Sequence, residues 1–345
     1  MNRLIKSLGW LLIPAVFSAC SVDPDLSPAP LPEEKIEFVI PQGFPQPVYN
    51  FTGNPLTTDG FKLGRKLFHD PLLSRDNSTS CESCHQQFAS FAHLDHPVSH
   101  GIDNQFGTRN SPSLFNLIWH PSFMWDGGIN HIEVQPIAPI TNPIEMDESL
   151  GNVINKLRNH PQYPALFKKA FGSDSITTQL MLRAFAQFMG MMNSYRSKYD
   201  KYIRGEAELT LQENSGLNIF RAKCESCHKE PLFSDFSFRN NGLDDVFPSD
   251  SGRAHITSLP EDIGKFKVPS LRNVSVSRPY MHDGRLQTLS QCIDHYRFHV
   301  KPSPTLDPLL VNGITLSESE KQDLLQFLNT LTDYEFINDP RFKPN

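Results

Sequence analysis

Cys81-Glu82-Ser83-Cys84-His85 is repeated without change as Cys224-Glu225-Ser226-Cys227-His228. In a Cys-x-x-Cys-His run the two thiols can add to the vinyl groups of a porphyrin while the adjacent histidine ligates its iron. A Cys-x-x-Cys also occurs in zinc knuckles, in thioredoxin-like redox pairs and as a short disulfide. Zinc wants four ligands from a pair of such motifs, and these two lie 143 residues apart, each followed by its own histidine. A redox pair has no need of that histidine. Two covalently attached c-type haems are the favoured reading.

The repetition extends beyond the pentapeptides. Pro112-Ser113-Leu114-Phe115-Asn116 is followed by Trp125-Asp126-Gly127, and Pro269-Ser270-Leu271-Arg272-Asn273 by His282-Asp283-Gly284, with 14 residues from proline to aspartate in both. A helical stretch precedes each haem motif, Leu63 to Phe68 in one half and Leu217 to Phe220 in the other. One haem domain has been duplicated on this reading, and the halves meet near Gly205, after a helical pattern that runs from about Thr178 to Arg204.

Most of the remaining chain reads as helix and loop. Thr210 with Glu213, and Ser317 with Glu320, form capping-box patterns, and Leu324, Leu325, Leu328 and Leu331 fall on one face of the C-terminal helix. No run of alternating residues is long enough for a sheet. The expected fold is mainly α: two cytochrome c-like haem domains in which the porphyrin supplies much of the apolar core. Residues 51–205 form the first and 206–345 the second.

The beginning of the chain suits covalent haem attachment, which in bacteria requires export. Arg3 and Lys6 precede an apolar stretch from Leu8 to Phe17 and then Ser18-Ala19-Cys20. This is the layout of a signal peptide over residues 1–19, and its apolar run is too short to span a membrane. Phe17-Ser18-Ala19-Cys20 is similar to a bacterial lipobox, making Cys20 a lipidated first residue. The alternative is an ordinary cleaved signal that leaves a cysteine behind. From Ser21 to Asn50 there are seven prolines, so residues 20–50 read as a lipid-bearing cysteine and an extended tether, its last part packed on the folded body. Of six cysteines, four hold haem and one holds lipid; Cys292 is left as a small buried hydrophobe.

Charge narrows the function classes. The formal balance of −6 becomes −8 once Arg3 and Lys6 are removed with the signal, which argues against a nucleic-acid-binding role. The roughly 325 remaining residues suffice for two domains.

Leu63-Gly64-Arg65-Lys66-Leu67-Phe68, Arg109-Asn110-Ser111-Pro112, Trp125-Asp126-Gly127, Pro143-Ile144-Glu145-Met146 and Pro279-Tyr280-Met281-His282-Asp283-Gly284 together resemble the bacterial di-haem cytochrome c peroxidase superfamily, which includes the MauG-type protein oxidases. The resemblance covers about residues 50–335. It implies a peroxide-reactive haem in the N-terminal half and an electron-transfer haem in the C-terminal half, with His85 and His228 as proximal ligands. It makes Trp125 the tryptophan between the haems, although the residue alone reads as a core aromatic. It places Gln135 and Glu145 above the peroxidatic haem, where a carboxyl with a raised pKa can move the proton that peroxide cleavage requires. Without the resemblance, Glu145 reads as a carboxylate before a helix starting near Asp147. A calcium ion between the domains is also implied, bound by Asn110 and the backbone carbonyls of Ser277 and Pro279, with water completing its oxygen ligands.

Two positions separate the branches of this superfamily. The peroxidases carry a methionine ligand after the His-Asp-Gly motif; the matching residue here, 13 positions beyond Asp283, is Tyr296, as in the MauG type. A thioether favours reduced iron, whereas a phenolate is a harder donor that stabilises oxidised iron. His295 and His299 are competing ligands, because 296 and 299 can share a helix face. His100 matches a histidine that blocks the peroxide site of resting peroxidases, with His93 and His96 as neighbouring alternatives, and so points the other way. Three functions follow. One is reduction of hydrogen peroxide with electrons from a small periplasmic cytochrome or cupredoxin. Another is oxidation of a partner protein, the MauG-like reading that Tyr296 favours. The last is non-catalytic electron transfer, against which the Gln135/Glu145 pair argues.

Overall fold

The computed structural model describes residues 36–94 and 96–344. The signal peptide, Cys20 and the first part of the proline-rich stretch lie outside the described residues. Twelve α-helices are present among the described residues: α1 (Thr58–His69), α2 (Cys81–Cys84), α3 (Ile137–Thr141), α4 (Leu150–Asn159), α5 (Tyr163–Phe171), α6 (Thr178–Met189), α7 (Lys198–Ile203), α8 (Leu211–Lys223), α9 (Ala254–Thr257), α10 (Leu289–Asp294), α11 (Glu318–Asn329) and α12 (Tyr334–Asn338). One two-residue antiparallel pair, β1 (Phe238–Arg239) with β2 (Phe266–Lys267), is the sheet content. The fold is mainly helical, with long loops between short helices.

Each haem motif follows a helix that crosses a second helix at a glycine. On α1, a Cβ at Gly64 would lie 2.0 Å from the Ala184 carbonyl oxygen of α6; on α8, a Cβ at Gly216 would lie 2.0 Å from the Asp323 carbonyl oxygen of α11. Only glycine permits backbones this close. The close approach brings phenylalanines into contact: Phe68 lies 5.3 Å from Phe188 in the first crossing, and Phe220 lies 5.2 Å from Phe327 in the second. Helix α8 starts on a capping box of Thr210 with Glu213, and α11 on one of Ser317 with Glu320. Leu324, Leu328 and Leu331 are buried along the inner face of α11 and the turn after it.

The two hydrophobic cores interleave across residue 205. Tyr199 on α7 packs with Phe220, Phe233 and Phe327 of the second core, while Phe336 and Phe342 at the end of the chain are buried in the first. The last part of the proline-rich stretch joins the first core as well. Ile36 is buried there, Tyr49 N donates to Ile118 O at 2.9 Å, and Trp119 Nε1 donates to Pro45 O at 2.8 Å.

The continuous helical pattern expected from Thr178 to Arg204 is broken. Helix α6 ends at Met189, and α7 begins only at Lys198. Side chains from elsewhere take the intervening backbone groups. Asn116 pairs with both Ser194 N (2.9 Å) and Ser194 O (3.0 Å), and Asp333 accepts from Tyr195 N and Arg196 N, each at 2.9 Å. Ser197 and Asp200 then form the capping box of α7. A helix expected near Asp147 likewise starts later, at Leu150, capped by Ser149.

Arg272 ties α7 to the second half. It is fully buried and forms a two-pronged pair with Asp200, at 2.8 and 2.7 Å, while Nε donates to Pro231 O. Burial alone would raise the Asp200 carboxyl, but Arg272 holds it below the usual carboxylate range. Replacing Arg272 by alanine leaves Asp200 as a buried uncompensated charge, and the expected loss is about 3–5 kcal/mol in denaturant unfolding. Because the folded-state pKa of Asp200 is depressed, the pair's contribution is present above about pH 4 and fades as pH falls through the lower folded value. Arg272→Ala should therefore also flatten the acid limb of the stability curve. An unfolding free energy within 1 kcal/mol of the parent protein would contradict this assignment.

Candidate haem and peroxide site

His85 and His228 are presented in the same way. His85 Nδ1 lies 2.7 Å from the Phe91 carbonyl oxygen; His228 Nδ1 lies 3.2 Å from Phe233 O and 3.1 Å from Pro269 O. A carbonyl oxygen can only accept, so Nδ1 carries the proton and Nε2 keeps its lone pair. A ring held in this tautomer by its second nitrogen is the usual preparation of a metal-ligating histidine. Burial pushes both imidazoles towards the neutral form, His85 to about 4. Both therefore offer a neutral nitrogen at ordinary pH.

Both rings line one cavity of about 820 Å3, together with Cys84, Cys224 and Cys227. Cys81 lies against the first core, where burial pushes its thiol up to about 12. The same cause holds Cys224 at about 12. No convergent group of three or more His, Cys, Asp or Glu residues that could hold a metal ion occurs among the described residues. An apolar slot with paired thiols at its edge and a bare imidazole nitrogen facing it fits thioether-linked haem. When bound, each haem supplies a redox-active iron opposite its histidine.

On the far side of the cavity the two halves differ. Gln135 and Glu145 line it in the N-terminal half. Burial raises the Glu145 carboxyl above its usual value of 4.5, opposed by a hydrogen bond from Asn142 Nδ2 to Oε1 at 2.7 Å. The segment is clamped by the neighbouring loop: Ile102 N donates to Glu145 O at 2.7 Å, and a Cβ on Gly101 would lie 2.1 Å from Ile144 O. A carboxyl so held can give or take a proton at a fixed point.

His100 sits in that clamping loop but is not among the residues lining the cavity. Its Nδ1 pairs with Asn104 Oδ1 at 2.7 Å, and its ring packs 4.2 Å from that of Phe106 and 4.6 Å from that of His96.

In the C-terminal half Tyr296 is half-buried and lines the cavity. Burial shifts its hydroxyl upwards, opposed by the nearby Asn241 side chain. Residues 295–299 form a π-turn that continues α10. Its wider winding separates positions 296 and 299, which an α-helix would place on one face. His299 accordingly does not line the cavity, and His295 spends Nε2 on Asn241 O at 3.0 Å.

Trp125 lines the cavity between the two halves and is fixed from both sides. Its Nε1 donates to Asn110 O at 2.8 Å, and its own carbonyl accepts from Lys267 N at 2.8 Å. Asn110 joins the halves directly: its N donates to His282 O at 2.7 Å and its Nδ2 to Pro97 O at 3.0 Å. With the amide nitrogen spent on Pro97, Oδ1 faces the other way. Ser277 and Pro279 line the same cavity. Arg109 adds ion pairs to Asp126 at 2.6 Å and Asp250 at 2.7 Å.

Residues not singled out from the sequence also face this space. Met124 and Met281 precede Trp125-Asp126-Gly127 and His282-Asp283-Gly284, and both have left-handed backbones, with φ of 66° and 72°. Their identical place in the repeat was a visible signal. Lys267, whose ammonium burial lowers to about 7, and Asn241 carry no such signal, since only tertiary packing brings them in.

The profile of the di-haem cytochrome c peroxidases matches residues 58–208. The methylamine utilization protein MauG of Methylorubrum extorquens is 34% identical over 318 residues, covering 91% of this chain and 88% of its own length. The cytochrome c551 peroxidase of Nitrosomonas europaea is 32% identical, covering 83% of each chain. The crystal structure of a MauG-like protein associated with microbial copper homeostasis superposes with a TM-score of 0.83 at 33% identity, over 89% of this chain and 99% of that one. This chain belongs to the di-haem cytochrome c peroxidase family that includes MauG, and is a peroxide-using haem oxidoreductase with two c-type haems.

Proposed function

We propose that the chain is a MauG-like member of this family, in which peroxide meets the His85-bound haem under Gln135 and Glu145 and the His228-bound haem, with Tyr296 as its second ligand, passes electrons from a partner protein. The observation that carries this reading is the position of Tyr296, which lines the cavity with His228 while His295 and His299 do not. A phenolate ligand favours oxidised iron, which suits storage of oxidising equivalents better than rapid exchange with a cytochrome or cupredoxin. Glu145 in this scheme takes the proton of the near peroxide oxygen and returns it to the leaving one, Gln135 orients the peroxide, and Trp125 relays electrons between the haems. A non-catalytic carrier would have no use for a carboxyl with a raised pKa at that point.

Several further features belong to this reading. The chain is secreted to the periplasm by residues 1–19 and anchored through lipid on Cys20. No helix among the described residues is long and apolar enough to cross a membrane. The two halves arose by duplication, supported by the paired glycine crossings, the matching left-handed residues Asn116 and Asn273, and the bridges Phe123 to Ile129 and Tyr280 to Leu286. A calcium ion rests on Asn110 Oδ1 and the carbonyls of Ser277 and Pro279.

Three measurements test these roles. Glu145→Gln should slow the reaction with peroxide about 100-fold or more at unchanged haem content. In the parent protein that rate should climb with pH through a value above 4.5, as the raised carboxyl ionises, and the variant should lose this limb; an unchanged rate removes the proton-transfer role. Tyr296→Phe should change the ferric spectrum of the C-terminal haem alone, and one equivalent of peroxide without donor should give the parent protein a slowly decaying near-infrared band. An unchanged Tyr296→Phe spectrum, or rapid turnover with reduced cytochrome c, would overturn the MauG-like assignment. Elemental analysis should find one calcium per chain, lost in Asn110→Ala; a metal content unaffected by that substitution argues against the site.

A further inference from the structure

Asn142 closes the turn that carries Glu145, and each of its polar groups has a fixed partner. Its N donates to Ala138 O at 3.0 Å, capping α3, and its O accepts from Glu145 N at 3.0 Å and from Asp147 N at 2.9 Å. Its Oδ1 accepts from Ile144 N at 3.2 Å. A backbone N–H can only donate, so the side-chain atom it meets is the carbonyl oxygen, and the other arm of the amide is Nδ2. That nitrogen donates to Glu145 Oε1 at 2.7 Å.

The backbone around Glu145 is held from several sides. Met146 N donates to Pro139 O at 3.2 Å and Glu148 N to Ile140 O at 2.8 Å, which staples the segment back onto α3. From two other loops, Arg75 N donates to Met146 O at 2.9 Å and Ile102 N to Glu145 O at 2.7 Å. The freedom left to the carboxyl lies in its own side-chain torsions, and the Asn142 amide takes that up. Asn142 and Glu145 both line the cavity, with Gln135. Because Oε1 faces an N–H, a proton on that oxygen would meet another proton. The exchangeable proton therefore belongs on Oε2, which makes no hydrogen bond among the described residues. An N–H binds a charged acceptor more strongly than a neutral one, so the same contact favours the ionised carboxylate that has to receive a proton.

We propose that Asn142 is a positioning residue for the proton transfer at the N-terminal haem: it anchors Glu145 by Oε1 and leaves Oε2 as the single oxygen that takes the peroxide proton and gives it back. This rests on Glu145 being the proton-transfer group. Asparagine meets two demands at once, since the turn needs an acceptor and the carboxylate needs a donor from the same side chain. Aspartate would keep the turn but set a second carboxylate against the first. Serine would keep the turn through its hydroxyl and leave Oε1 without a donor.

The test uses the full chain with both haems. Asn142→Asp should keep two haems per chain and move the limb along which the peroxide reaction climbs with pH upwards by about one pH unit or more, so that below the limb the reaction is about tenfold slower or more. Cyanide, a weak acid that also gives up a proton as it binds ferric iron, should bind the N-terminal haem with the same displaced pH dependence. Asn142→Ser should move both limbs in the same direction by less, and it serves if the aspartate variant fails to bind two haems. If Glu145→Gln slows the peroxide reaction about 100-fold but neither Asn142 variant moves either limb, positioning by Asn142 is wrong and the role of Glu145 stands. If Glu145→Gln leaves the peroxide kinetics unchanged, this proposal falls with the assignment it rests on. A slower reaction whose limb stays in place assigns Asn142 to the turn alone and overturns the proposal.

Discussion

Backbone carbonyls hold the protons of His85 and His228 on Nδ1, and the functional architecture depends on that constraint. Phe91 accepts from the first ring, Phe233 and Pro269 from the second. Each imidazole must then offer Nε2 to the cavity, neutral because burial disfavours the cation. The carbonyls are in turn positioned by the loops that follow each haem motif, and those loops lie over helices crossed at Gly64 and Gly216. A larger residue at either crossing would separate the helices and displace the phenylalanines that carry the loop.

Equal proximal sides make the distal inequality informative. The N-terminal half lines the cavity with Gln135 and a carboxyl raised by burial; the C-terminal half lines it with the Tyr296 phenol and the Met281 thioether. On the proposed reading one side moves a proton and the other sets the electronic character of an iron. Trp125 and Asn110 lie on the seam, and their hydrogen bonds to backbone fix the distance between the two chemistries.

The halves are also joined mechanically. Helix α7 and the C-terminal segment around Phe336 and Phe342 each pack into the core of the other half, and Arg272 with Asp200 locks the first of these exchanges. Arg272 occupies the place in the sequence repeat that Phe115 takes in the first half, and there it grips the linking helix. Bonds from Asn116 and Asp333 to residues 194–196 set the same junction.

Much of this was legible in the chain. Two Cys-x-x-Cys-His motifs, the equal 14-residue spacing and the capping boxes are local patterns, and each depends on neighbours within a few residues or on repetition, so the sequence alone determined two haem sites, a mainly helical fold and the family. The end of α6 was not legible, because its helical pattern is overruled by side chains more than 70 positions away. Nor were the relation of Tyr296 to its neighbouring histidines and the place of His100. Helical periodicity left 296 and 299 equivalent; a π-turn, stabilised by contacts such as Ile314 N to Tyr296 O at 2.8 Å, separated them. Asn241 belongs wholly to the tertiary structure, since only the bonding of residues 240–242 to residues 301–307 brings it to the cavity.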